Sequence, residues 1–165
     1  MPPTTRIQAP KLADAPLSAH FMLSEFLDSQ KATREGIANI PDAASLRNLR
    51  RVAQALEQVR LLLGGLPVVI SSGYRSPELN AAVGGSRSSA HMRGLAVDFT
   101  CGAYGTPLQI CKLLVAANFP FDQLIYEGTW VHLALPAEGD SPARDVRTAV
   151  FRAGQRTEYT KGLPQ

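Results

Sequence analysis

The sequence predicts an α+β domain: one compact unit whose small, mainly antiparallel sheet is flanked by helices. Three observations carry this. A long amphipathic helical pattern runs over 42–63, several apolar runs of strand length follow it, and two of those runs flank Gly128-Thr129 as a hairpin. The 165 residues suit one ordinary domain, and nothing in them repeats.

Residues 1–19 hold four of the twelve prolines and no sustained periodicity, which predicts an irregular arm. Leu23 to Leu27 can open a short helix with Ser24 as its cap. Over 42–63, Asp42 can cap the start, and Leu46, Leu49, Ala53, Leu56 and Leu63 recur at helical steps, with Val52 and Val59 widening the apolar face. Arg47, Arg50, Arg51, Glu57 and Arg60 take the outer side, as on an ordinary solvated face, and Gly64-Gly65 ends the helix. Pro67 to Ser71 reads as a strand, Ser72 to Pro77 as a turn, and Pro77 as the start of a short helix reaching Val83. A loop over 84–89 leads to a strand from Leu95 to Thr100 and a helix at 107–118. Phe121 to Glu127 and Trp130 to Leu135 form the hairpin, and Val146 to Phe151 a last strand.

Composition excludes several classes. Hydrophobic residues make up 45% and charged ones 19%, a globular balance. The net charge of +3 tolerates an anionic partner, but the basic stripe of a nucleic-acid binder is missing. Cys101 and Cys111 are too few for a disulfide scaffold and read as buried free thiols. No apolar run reaches bilayer length, and the first residues lack the pattern of a secretory leader.

The chemistry concentrates around two of three histidines. His91 precedes Asp98 by seven residues, with Gly94 and the start of a strand between them. Alternation along that strand puts Leu95, Val97 and Phe99 on one face and Ala96 and Asp98 on the other, so Asp98 needs a charged partner or a metal. With a two-residue turn at Gly128-Thr129, Ile125 lies opposite His132, and Glu127 shares the histidine's face diagonally, roughly 7–8 Å away between Cα atoms. Two imidazoles, one carboxylate and a spare carboxylate are the parts of a catalytic zinc site. Bound zinc lowers the pKa of a water to about 7 and polarises a carbonyl, a nearby glutamate can shuttle the proton, and Arg75 could grip a carboxylate or an oxyanion. On spacing alone, the same groups could simply satisfy one another's hydrogen bonds in a core. His20, with no acid or cysteine at ligand spacing, reads as structural or solvated. Asp122 fits either a turn or a partner for a ligand histidine.

Ser89-Ala90-His91, followed by Gly94, Ala96 and Asp98, resembles the Ser-x-His-x-x-Gly-x-Ala-x-Asp signature of the zinc peptidases that include D-alanyl-D-alanine carboxypeptidases and phage endolysin peptidases. Ser24-Glu25-Phe26, Ser71 through Asn80, Gly84-Gly85-Ser86 and Trp130-Val131-His132 are similar to one branch of that family, found in bacteria and phage. The resemblance runs from about residue 18 to 151. It implies a Hedgehog/DD-peptidase-like fold around one Zn2+, with His91, Asp98 and His132 as ligands. It further implies that Arg75 binds substrate and stabilises the transition state, that Ser89 shapes the site, and that the bonds cut lie beside D-amino acids in peptidoglycan stems. Tyr74 and Trp130 are candidate cleft residues.

One departure stands out. Studied members place the catalytic glutamate three residues before the last histidine ligand, where this chain has Thr129, and others place a histidine two before it, where this chain has Trp130. Glu127, five before His132, is the expected base. The expected arrangement is therefore an arm at 1–17, a zinc peptidase domain at 18–153 and a polar tail at 154–165. The expected protein is a monomer acting on peptidoglycan or muropeptides, without nucleic-acid or membrane partners. It would remain in the cytoplasm until lysis or travel with a phage particle. The competing expectation is a non-catalytic, zinc-containing wall-binding or phage structural module of the same fold.

Overall fold

The computed structural model describes residues 10–165; the part of the expected arm before Pro10 lies outside them. The chain forms α1 (Leu23–Leu27), α2 (Gln30–Glu35), α3 (Ala43–Leu62), β1 (Val69–Ser72), α4 (Pro77–Ala82), a 3-10 turn (Ala90–Arg93), β2 (Ala96–Thr100), α5 (Pro107–Ala116), β3 (Gln123–Tyr126), β4 (Val131–Ala134), β5 (Asp145–Val150) and β6 (Glu158–Lys161). The strands make one six-stranded sheet in the order β1-β2-β4-β3-β5-β6. All its pairings are antiparallel except β3 with β5. The α+β expectation holds.

Local chemistry accounts for the helix ends. Asp42 accepts from the Ser45 amide at 2.7 Å and caps α3, and the left-handed Gly64 and Gly65 follow its close. Ser76 caps α4, and Thr106 with Gln109 makes a capping box for α5, each just before a proline. Ser24 is not the cap of α1. Met22 precedes the helix, its amide held by Glu25 at 2.6 Å, while the Ser24 hydroxyl donates to Asp14. A serine already inside the first turn cannot reach that turn's free amides, so it ties the arm down instead.

The sheet is two-sided. Leu49, Val52, Ala53, Leu56 and Val59 of α3 and Ile110 and Leu114 of α5 join one core with Val97, Phe99, Leu124, Val131 and Leu133 from one face. Each is at most 1% exposed, the burial that makes the Leu, Ile, Val and Phe side chains worth about 2 kcal/mol apiece. The outer side of α3 is not only solvated. Glu57 accepts from the Ser18 hydroxyl and the His20 amide and meets the His20 ring at 2.8 Å, and Arg51 donates to the Pro136 carbonyl. Strand alternation sends Asp98, Ile125, His132 and Arg147 to the opposite face.

The hairpin forms with the expected register, Ile125 opposite His132 and the Glu127 amide on the Trp130 carbonyl at 3.1 Å. Residues 158–161, within the stretch read from sequence as a polar tail, add β6 to the edge of the sheet. Its side chains are exposed, so no apolar periodicity marks it.

Gly94 closes the 3-10 turn at φ +67°, and a Cβ there would run into the Ser45 carbonyl of α3. Gly36 has a similar φ of +69° with open space around it. Gly36→Ala is expected to cost about 1 kcal/mol from the left-handed backbone alone, whereas Gly94→Ala is expected to cost roughly 3 kcal/mol, because the turn must also move off α3. Urea unfolding of the two variants measures the difference.

Candidate metal centre

His91, Asp98 and His132 reach one point from three elements. His91 lies in the 3-10 turn, and Asp98 and His132 stand directly opposite each other on β2 and β4. All three are buried, and their ligand atoms lie within 4.8 Å of one another. His91 Nε2 is 3.2 Å from Asp98 Oδ1, His132 Nδ1 is 2.9 Å from the same oxygen, and the two nitrogens are 3.3 Å apart. Donors bound at 2.0–2.1 Å around a tetrahedral zinc ion sit about 3.3 Å from one another. The residues present fit that ion.

The protonation pattern supports the fit. His91 Nδ1 is 2.6 Å from the Gly73 carbonyl, which can only accept, so Nδ1 carries the proton. Burial holds the His91 pKa down, so the ring is neutral and its Nε2 turns a lone pair into the cluster. A proton on His132 Nδ1 can serve both Asp98 and that lone pair. To meet a divalent cation through Nδ1, the neutral ring carries its proton on Nε2 instead. Burial opposes ionisation of Asp98, but the two imidazoles outweigh it and hold the carboxyl well below the usual carboxylate range.

Arg75 completes the support. Its Nη2 donates to Asp98 Oδ2 at 3.1 Å and its Nε to the Ser72 hydroxyl at 3.0 Å. This fixes the carboxylate with Oδ1 toward the histidines. A bulge makes it possible: the β1 register passes from Ile70 opposite Phe99 to Ser72 opposite Asp98, so Ser71 is the extra residue. Gly73 follows, where a Cβ would lie 2.5 Å from the Phe26 carbonyl oxygen. Only glycine lets that backbone pass α1 and offer its carbonyl to His91.

Glu127 is 9% exposed at the end of β3, on the His132 face. Burial raises its pKa; the charges of His132 and Arg75 pull it down and that of Asp98 pushes it up. Thr129, at the position where studied relatives carry the glutamate, is exposed in the turn.

The other candidates sit further out. The Ser89 hydroxyl accepts from the His91 amide at 3.3 Å and so caps the turn that carries the histidine. Tyr74 is buried in the main core, with its amide on the Phe26 carbonyl. The Trp130 indole packs against Phe151 with ring centroids 6.1 Å apart, and its Nε1 has no partner among the described residues. A cavity of about 210 Å³ borders Arg75, walled by Ser29, Ser72, Tyr74 and Leu79 among others. A larger one, about 680 Å³, lies between the arm and α1–α2 and touches none of the three metal candidates. His20 stays with Glu57, away from the cluster, and Asp122 accepts from the Ala143 amide as a loop tie. Both cysteines are free and buried, and burial pushes the Cys111 thiol up to about 12, which leaves it no nucleophile. Sequence reasoning missed the Gly73 carbonyl and the Ser72 hydroxyl. Backbone acceptors carry no signature, and the bulge that presents them follows no periodicity.

A buried donor set of two imidazoles and one carboxylate, spaced for a tetrahedral ion and braced by an arginine, defines a mononuclear zinc centre on an α+β scaffold. The chain belongs to the peptidase M15 family: residues 19–134 match the family model. It is also similar to a zinc D-Ala-D-Ala carboxypeptidase of Streptomyces albus G, 35% identical over 74 residues, which make up 44% of this chain and 28% of that protein. The matched stretch is thus well under half of that relative.

Two outcomes are expected. Zinc at about a hundred times its dissociation constant should stabilise the metal-free protein by about 2.7 kcal/mol, and Asp98→Ala should abolish the effect; thermal melts with and without the ion measure this. Glu127 bears on stability through pH. Its folded pKa lies above the unfolded value, so the cost of its charge is absent below the unfolded value of about 4.3 and complete above the folded one. Metal-free Glu127→Gln should therefore melt higher than the parent at about pH 8 and at the same temperature near pH 4, as calorimetry at the two pH values would show.

Proposed function

We propose that the protein is a zinc metallopeptidase that cleaves peptidoglycan stem peptides beside D-amino acids, as an endopeptidase or a carboxypeptidase. The observation that carries the reading is the convergence of His91 Nε2, Asp98 Oδ1 and His132 Nδ1 at tetrahedral spacing, with the buried Glu127 on the same face. The family membership and the name of the Streptomyces relative support the substrate class.

Zinc held by these three residues would acidify a water and polarise the scissile carbonyl. Asp98 contributes one oxygen to the centre, while Arg75 keeps the other turned away. Glu127 is the general base: its raised pKa brings it toward neutrality, where a carboxylate can take a proton from water and return it to the leaving amine. Arg75 spends Nε and one Nη2 hydrogen on Ser72 and Asp98. Its remaining N–H groups can meet a substrate carboxylate or the developing oxyanion. Ser89 acts through His91 by capping its turn. Tyr74 and Trp130 flank the cleft from the Arg75 and Glu127 sides. The reading places the protein at the wall after lysis or with a phage particle, as a monomer, the 18–153 unit carrying the chemistry.

The second reading, a wall-binding module without turnover, draws on the five-residue spacing of Glu127 from His132. One comparison separates them. Zinc-loaded wild type should release a new fragment from purified muropeptides, seen by mass spectrometry, and Glu127→Gln should keep its zinc and lose 10²- to 10⁴-fold in turnover. Equal wall binding with no cleavage by either protein would overturn the peptidase reading.

A further inference from the structure

We propose that Tyr159, on β6, contacts the substrate at this site, and that with Lys161 it receives a carboxylate of the peptide. The proposal rests on the peptidase reading above and adds a wall to the cleft from outside residues 19–134, the stretch that matches the family.

The sheet register carries the argument. Residues directly opposite on neighbouring strands share a face. His132 lies opposite Ile125, Ile125 beside Arg147, and Arg147 opposite Lys161, so Lys161 belongs to the face of the metal candidates. Two residues back on β6, Tyr159 is on that face too, opposite Ala149. One step beyond the Tyr126–Thr148 pair, Glu127 comes beside Ala149. Glu127, Ala149 and Tyr159 therefore form one row across β3, β5 and β6. Adjacent strands are about 4.8 Å apart, so roughly 10 Å separates the Glu127 and Tyr159 backbones, with only a methyl side chain between them. A tyrosine side chain spans most of that gap, and a larger residue than Ala149 would block it.

The electrostatics agree with the row. Burial raises the Tyr159 pKa, Glu127 and Asp98 raise it further, and Arg75 opposes them, so the phenol sits in the field of the site. It stays protonated and is a hydrogen-bond donor at neutral pH. Being 47% exposed, it can meet a ligand. Lys161 is exposed and makes no ion pair among the described residues, whereas Arg147 is held by Asp145 at 2.8 Å. A neutral donor beside a cation with no ion pair among the described residues, at the edge of the cleft, suits a carboxylate. Peptide stems ending in a free D-alanine present one.

The test uses the zinc-loaded full chain and a stem pentapeptide ending in D-Ala-D-Ala. Binding is measured by calorimetry in the Glu127→Gln background, and cleavage kinetics in the wild-type background. Tyr159→Phe keeps the ring and removes only the hydroxyl. It should weaken binding and raise KM about tenfold, with kcat, zinc content and melting temperature unchanged. Lys161→Ala should weaken binding a further few-fold, less so at high salt. Unchanged binding by Tyr159→Phe overturns the proposal, and so does a loss of zinc or of melting temperature, which would mark a structural role. If the parent binds the peptide and cleaves nothing, and Tyr159→Phe still weakens binding, the peptidase reading fails and the contact stands. A parent that neither binds nor cleaves overturns both.

Discussion

The site depends on one buried carboxylate. Asp98 sits on an inner strand, and its oxygens face three groups: His91 and His132 at Oδ1 and Arg75 at Oδ2. A lone charge at that depth would be too costly to keep, and the folded chain keeps it only because each neighbour is oriented by something else. The Gly73 carbonyl turns His91, the β2–β4 register places His132, and Ser72 steadies Arg75. With two imidazole nitrogens and one carboxylate oxygen already drawn together, little reorganisation is left for a metal to impose.

The architecture divides the labour between the two faces of the sheet. One face is sealed by α3 and α5 into a core that fixes the strand positions. The other is spared the need to be apolar and can hold charge. The 3-10 turn bridges the two roles, because Gly94 presses its backbone against α3 while His91 points to the open face. Precision at the metal candidates is therefore supplied by packing on the far side.

Much of this was legible in the residues. Apolar periodicity located α3 and its cap at Asp42, because burial of one helical face leaves a clear record. Alternation set Asp98 off the apolar face of its strand, and the Gly128-Thr129 turn put Glu127 on the face of His132, since the period of a strand is fixed by its geometry. The His91–Asp98 motif identified the family. The rest left weaker traces. The short α2 has too few turns to show a period. The bulge at Ser71 breaks the alternation on which strand reading relies. β6 has exposed side chains on both faces, so hydrogen bonding to β5, rather than apolar burial, makes it a strand. Ser24 looked like a cap because serine favours that role, but the arm's Asp14 competes for it.

The single parallel pairing in the sheet has a consequence of its own. β5 joins along the outer edge of β3, and β6 joins only β5, so the terminal hairpin hangs from one strand, while β2 and β4 are enclosed on both sides. Opening free energies fall toward such margins, and segments there can part and reclose without unfolding the whole. The metal candidates then belong to the enclosed strands, and Tyr159 and Lys161 to a margin held along one side. Changes confined to β5 and β6 would leave the strands that carry Asp98 and His132 in place.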